Sequence, residues 1–262
     1  MSSCSTRRAL SEEAANLIEV FRSLQGEGLL VGVPQVFVRF AGCHLDCDYC
    51  DTEASRRRSR SFVVHARDPR CSAQVLANPV DPAALTQLVA GLAFDPPVHS
   101  VSITGGEPLL QHRFLLRWLP ALRERGLMVY LETAGDYASR FDAVAPMVDW
   151  CAMDIKIPSA TGGPPIWDRH AAFLEVCRAR EVRAFVKAVV CAETTSAEVA
   201  AAARLMAETL PESWLVLQPV TPARHTARPV HPDHVLALVD AALSIHPRVR
   251  VIPQTHPQAG LR

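Results

Sequence analysis

The stretch Val36-Phe37-Val38-Arg39-Phe40-Ala41-Gly42-Cys43-His44-Leu45-Asp46-Cys47-Asp48-Tyr49-Cys50-Asp51-Thr52 decides how the rest of the chain is read. It begins as a short, β-branched, apolar run, a strand over 33–40, and ends in three cysteines spaced C-x3-C-x2-C. Three thiolates in one short loop are soft ligands. They suit an iron–sulfur cluster that keeps one iron open to an outside ligand. Zinc is the alternative, with His44 as a fourth ligand. Zinc motifs, however, place two ligand pairs far apart, and His44 directly follows Cys43, which makes joint ligation awkward.

Moving outward, strand-like segments recur at 100–103, 128–131, 150–155, 184–190 and 214–217. Segments with helical spacing separate them. Phe114, Leu115, Trp118, Leu119 and Leu122 recur at three- and four-residue steps, and Pro82 suits the first turn of a helix running through Leu92. Gly126 and Gly135 stop the elements around them. Short buried strands alternating with helices predict parallel β-α units, hence an α/β fold. Six strands are too few for a closed eight-stranded barrel. A partial, open, TIM-like barrel is the expected architecture, with a flat doubly wound sheet as the fallback. The length fits one domain spanning 1–262. About 53–80 reads as an irregular insertion whose Arg56, Arg57, Arg58 and Arg60 form a solvated basic cluster.

The balance of 27 Lys and Arg against 27 Asp and Glu advertises no nucleic-acid or membrane partner. No apolar run is long enough to span a bilayer, and the polar first residues lack the apolar middle of a signal peptide. A cytoplasmic enzyme is expected. Of the eight cysteines, the scattered Cys151, Cys177 and Cys191 read as small buried hydrophobes.

Thr104-Gly105-Gly106-Glu107-Pro108 ends the strand after the cysteine loop. Later strand ends carry Glu132-Thr133-Ala134-Gly135, Asp154-Ile155-Lys156 and Gln218-Pro219, where ligands of parallel sheets gather. The cysteine loop and the glycine-rich segment together resemble the radical S-adenosylmethionine superfamily. The resemblance implies the six-strand partial barrel. It also implies a 4Fe–4S cluster on Cys43, Cys47 and Cys50, and S-adenosylmethionine on the open iron, cleaved to a hydrogen-abstracting radical. No side chain then acts as a conventional acid or base. Tyr49, Gly105, Gly106, Glu107, Glu132, Asp154, Lys156 and Gln218 would line the S-adenosylmethionine site.

Ser23-Leu24-Gln25-Gly26-Glu27-Gly28 offers an amide and a carboxylate able to read the edge of a pterin. With Arg39 and the Ala41-Gly42-Cys43 run, it is similar to the 7-carboxy-7-deazaguanine synthase family of the queuosine and deazapurine pathway. That likeness implies a lyase converting 6-carboxy-5,6,7,8-tetrahydropterin to the deazaguanine with loss of ammonia. Leu24, Gln25, Gly26, Glu27, Arg39, Thr104, His256 and the terminal Arg262 would hold the substrate, Arg39 facing its carboxylate. Thr52 would coordinate Mg2+, and the tail from Pro253 would close the active site. An electron donor such as flavodoxin or ferredoxin and a homodimer are the implied partners. The alternatives are a glycyl-radical activating enzyme, with the same cysteine loop but a protein substrate, and a zinc-stabilised structural domain.

Overall fold

The structure is a computed structural model that describes residues 13–66, 70–222 and 228–261. Its frame is one ten-stranded sheet: β1 (Leu17–Leu24), β2 (Pro34–Phe40), β3 (Ser61–Val64), β4 (Gln74–Ala77), β5 (Ser100–Gly105), β6 (Met128–Thr133), β7 (Trp150–Ile155), β8 (Arg183–Val190), β9 (Leu215–Pro219) and β10 (Val249–Val251). The order is β10-β9-β8-β7-β6-β5-β2-β1-β3-β4. The six strands expected from sequence are β2 and β5 to β9, and each pairs in parallel with the next. The sheet is open, with β10 and β4 at its edges, and forms the partial-barrel architecture.

Four strands extend this frame beyond the sequence expectation. β1 runs antiparallel to β2, and β3 lies parallel to β1 with β4 antiparallel outside it. The stretch around 53–80 is therefore not irregular. It opens with a 3-10 turn at Glu53–Arg56 and then supplies β3 and the edge strand β4. The physical reason for the misreading is burial. β1 intersperses Glu19, Arg22 and Ser23 among its apolar residues, and edge strand β4 exposes Val75. Neither gives the apolar run of a buried parallel strand. The Gln25–Gly28 segment consequently follows a strand and forms part of the β1–β2 connection.

Helices α1 (Pro82–Ala93), α2 (His112–Arg123), α3 (Ala138–Val144), α4 (Pro158–Thr161), α5 (Trp167–Ala179), α6 (Ser196–Thr209) and α7 (Pro232–Leu243) fill the crossovers. α1 starts at Pro82, where the Asp81 side chain accepts from the Ala84 amide. α6 starts on a reciprocal Thr195–Glu198 capping box. Phe114, Leu115, Trp118, Leu119 and Leu122 form the buried stripe of α2. They meet the outward-facing alternate residues Val36, Val38 and Phe40 of β2, Val101 and Ile103 of β5, and Val129 and Leu131 of β6. Cys151, Cys177 and Cys191 are buried there as free thiols, as expected. Among the described residues no helix is long and apolar enough to cross a membrane.

Candidate active site

The inward-facing alternates of the same strands build the site. A side-chain period of two sends Phe37 and Arg39, Tyr130 and Glu132, Ala152 and Asp154, and Phe185, Lys187 and Val189 into one cavity of about 360 Å3. Tyr130, Ala152, Phe185 and Val216 pack together as a small apolar cluster, with Trp150, Trp214 and Ile252 against it. Toward the carboxyl ends of the strands the lining turns charged, which is where a β-α barrel presents its chemistry.

The three loop thiols Cys43, Cys47 and Cys50 all face this cavity and are partly buried. Backbone contacts fix the loop. Gly42 and Cys43 donate to the carbonyls of Ser55 and Arg56 at 2.6 and 3.3 Å, and Asp48 donates to Thr161 at 3.3 Å. The Arg56 side chain also pairs with Asp46 within the loop, while Arg57, Arg58 and Arg60 are exposed. Burial pushes the Cys43 and Cys47 thiols up, and the Lys156 ammonium pulls the other way at both. His44 points elsewhere: its Nε2 pairs with the buried Asp136, its ring packs edge-on to Tyr137 at 4.8 Å, and it does not line the cavity. Among the described residues no three His, Cys, Asp or Glu side chains are grouped as a single ion would require. The Cys3His zinc reading has no geometric support.

Gly105 and Gly106 line the cavity beside the loop, and close backbone packing explains both. A Cβ on Gly105 would lie 2.2 Å from the Phe40 carbonyl oxygen, and one on Gly106 would lie 2.2 Å from that of Gly42. Only glycine lets β5 end against the cysteine loop.

Glu107 is a correction to the sequence reading. It is fully buried, does not line the cavity, and accepts from the Leu109 and Ala134 amides and the Thr133 hydroxyl at 2.8–3.0 Å. Burial pushes its carboxyl up while these donors oppose it. Its carboxylate braces the ends of β5 and β6. A carboxylate two residues beyond an inward-facing glycine looks site-facing in sequence, but the turn after β5 rotates it into the core.

Asp154, Lys156 and Tyr49 form a second group. Lys156 Nζ donates to Asp154 Oδ2 at 2.7 Å and to the Tyr49 hydroxyl at 3.0 Å. Two buried oxygens in the cavity wall, Asp154 Oδ1 and Gln218 Oε1, have no partner among the described residues. Burying an acceptor unpaired is costly, so these atoms are laid out for a donor-bearing ligand. Three thiols and two such acceptors lining one cavity fit a cluster-bound amino acid nucleoside.

The third group lies around the β1–β2 connection. The Gln25 amide is already committed: Nε2 donates to Gln35 at 3.0 Å and Glu132 at 2.8 Å, and Oε1 accepts from the Glu27 amide at 3.1 Å. Gln25 thus shapes the loop more than it offers a free edge. Glu132 also accepts from Ser102 and Thr104. Glu27 is bound by Lys187 and by Gln254 of the tail, both at 2.5 Å. Burial alone would raise its carboxyl, but the Lys187 ammonium and these hydrogen bonds outweigh burial and hold it at about 2. The tail sits directly on this loop. Thr255 donates its amide to the Gly26 carbonyl at 2.9 Å, and the His256 side chain packs where a Gly26 Cβ would be. Leu24 and Thr52 complete the rim, and Thr52 donates to Asp51 at 2.9 Å.

One cavity therefore gathers every sequence-derived site residue among those described except Glu107; Arg262 lies outside the described residues. Sequence reading missed Lys187 and Gln254. Lys187 left a signal, being the one charge within the apolar run 184–190. Gln254 left none beyond its place before His256.

Residues 37–205 match the Radical SAM superfamily. The chain is 45% identical to a 7-carboxy-7-deazaguanine synthase of Geobacter sulfurreducens over 253 residues, covering 96% of this chain and 99% of that protein. It is 35% identical to one of Methanothermobacter thermautotrophicus over 265 residues, covering 95% and 98%. The crystal structure of QueE from Escherichia coli superposes with a TM-score of 0.63 at 22% identity, covering 98% of this chain and 100% of that one. That likeness speaks to the fold.

Proposed function

This chain belongs to the radical SAM superfamily and, within it, to the 7-carboxy-7-deazaguanine synthases, and from that membership we infer that its cavity converts 6-carboxy-5,6,7,8-tetrahydropterin to 7-carboxy-7-deazaguanine with loss of ammonia. It is a lyase that works with a 4Fe–4S cluster and S-adenosylmethionine. The observation that carries the reading is that the C-x3-C-x2-C thiols and the Glu27–Lys187 pair open into the same cavity beneath the docked tail.

In this proposal Cys43, Cys47 and Cys50 hold the cluster. Asp154, Lys156, Tyr49, Gln218 and the Gly105–Gly106 backbone receive S-adenosylmethionine. When bound, the pair supplies the hydrogen-abstracting radical that starts the rearrangement. The chain's own work is placement and exclusion. Glu27, kept ionised by Lys187, presents an acceptor to the donor edge of the pterin. Arg39 faces the substrate carboxylate. Tyr130 and Phe185 wall the interior with apolar surface, and the tail through His256 covers the entrance, keeping out water and stray hydrogen donors.

Mg2+ at Thr52 belongs to the same proposal, supported by the neighbouring Asp51 carboxylate, to which the Thr52 hydroxyl donates. A flavodoxin or ferredoxin as electron donor, a homodimer and a reducing cytoplasmic setting complete it on chemical grounds. A cavity of about 360 Å3 covered by its own tail suits a small molecule better than the protein substrate of a glycyl-radical activating enzyme. The test is anaerobic turnover of the carboxypterin by reconstituted protein, with product identified by mass. Cleavage of S-adenosylmethionine without any deazaguanine would refute the substrate assignment.

A further inference from the structure

Arg39 enters the cavity under constraint. It lies directly across from Glu19 in the antiparallel β1–β2 register, where facing side chains meet. Arg39 Nε donates to Glu19 Oε1 at 2.9 Å, and Nη1 donates to Thr52 Oγ1 at 3.1 Å. Among the described residues, Nη2 donates to nothing. The other Glu19 oxygen, Oε2, meets His65 Nε2 at 3.2 Å, and the His65 amide is tied to the Val20 carbonyl at 2.9 Å. The guanidinium also stands 5.9 Å over the Phe21 ring, which stacks on Phe37 at 5.0 Å. Arg39, Glu19 and His65 side chains are each only 17–20% exposed, so these contacts are sheltered from solvent.

This arrangement selects one edge of the guanidinium. A carboxylate can approach arginine along the Nε–Nη2 side or end-on across Nη1 and Nη2. Glu19 occupies Nε and closes the first approach. Thr52 takes one Nη1 hydrogen, so the terminal edge keeps Nη2 and the second Nη1 hydrogen for a ligand in the cavity. Glu19 in turn is steadied by His65, delivered by the end of β3, the strand that sequence reading took for an irregular insertion.

We propose that Glu19, backed by His65, is a positioning residue for substrate-carboxylate recognition, acting through Arg39 to present its terminal edge. The proposal rests on the reading of Arg39 as the carboxylate's partner. It gives the β1–β3 pairing a functional consequence, since losing β3 would loosen a side chain two strands away.

The experiment measures equilibrium binding of two unreactive probes, 6-carboxypterin and pterin, to reconstituted protein with S-adenosylmethionine present. Wild type should prefer the carboxylated probe. Glu19→Ala should lower that preference roughly tenfold while leaving pterin affinity unchanged, because Glu19 contacts Arg39 and His65 and does not line the cavity that takes the pterin ring. Glu19→Gln keeps an acceptor for Nε and should retain most of the preference. His65→Ala should lose about two- to threefold, as expected for an outer partner. Arg39→Ala should abolish the preference, and adding Glu19→Ala to it should do nothing more. With the true substrate, Glu19→Ala should raise KM with little change in kcat. Undiminished preference in both Glu19→Ala and His65→Ala, or full additivity with Arg39→Ala, overturns the brace while leaving the reaction intact. Should Glu19→Ala not fold, Glu19→Leu, which removes both carboxylate oxygens but keeps side-chain bulk, carries the same comparison beside His65→Ala. A wild type indifferent to the carboxylate removes the Arg39 reading and the brace with it.

Discussion

The two faces of one sheet do opposite work. On β2, Val36, Val38 and Phe40 turn outward into the helices, while Phe37 and Arg39 turn inward to the cavity. On β8, Val186, Ala188 and Val190 face out, and Phe185 and Lys187 face in. The outer face is apolar and sealed, as a folding core must be. The inner face keeps Arg39, Glu132, Asp154 and Lys187 under partial cover, each held by ion pairs or hydrogen bonds. Alternation within a strand thus separates stability from chemistry, and substitutions one residue apart should have unlike consequences.

The largest effect is expected on the inner side. Cys47→Ala should abolish cluster assembly and S-adenosylmethionine cleavage together, read from iron and sulfide content and from the visible absorption after anaerobic reconstitution. The metal-free variant should unfold within about 0.5 kcal/mol of wild type, because Cys47 is only partly buried. On the outer side Phe114→Ala should do the reverse. Phe114 is 1% exposed and packs at 6.1 and 5.8 Å on the Phe40 and Trp118 rings. Its loss should cost ~3–5 kcal/mol in urea unfolding while leaving substrate KM nearly unchanged. A Phe114→Ala variant as stable as wild type would break the division between the faces.

Lys187→Met tests whether an inner-face charge also contributes to stability. Removing the ammonium leaves the half-buried Glu27, and Asp154 beside it, without their cation, at a cost of roughly 2 kcal/mol near neutral pH. The pH dependence has a definite sign. Glu27 is held at about 2 against an ordinary value of 4.5. Its contribution is therefore fully present above 4.5 and lost as pH falls toward 2. The stability gap between wild type and Lys187→Met should be widest near neutrality and narrow across that window. A gap that widens on acidification would show that Lys187 does not hold Glu27 ionised. The smallest effect is expected from Thr52→Ala, which should raise the Mg2+ concentration for half-maximal turnover several-fold and leave cluster content intact. An unchanged Mg2+ response removes Thr52 as a ligand.

Much of this was legible in the chain. β2 and β5 to β9 announced themselves because parallel strands covered on both faces are mostly apolar, their inward charges being few and set near the carboxyl ends. Strands β1, β3, β4 and β10 did not, because they mix charges into their pattern, lie at edges or are very short. The cysteine loop was legible because its ligands are adjacent in sequence. The burial of Glu107 was not legible, because one turn of backbone decides whether a strand-end carboxylate meets the cavity or the core. The hydrogen bonds of the Gln25 amide to Gln35, Glu132 and the Glu27 backbone were not legible, because those partners are distant or unremarkable in sequence.

By itself the sequence determined the α/β alternation, the thiol loop and the glycine pair beside it, since each rests on local spacing and backbone freedom. Only the tertiary structure decided which charges meet. Glu27 finds Lys187 across 160 residues and Gln254 across 227, and Arg39 finds Glu19 because two strands pair in one register. Those meetings depend on how the sheet is ordered and how the tail docks, and hydrophobic periodicity carries no information about partners so far apart along the chain.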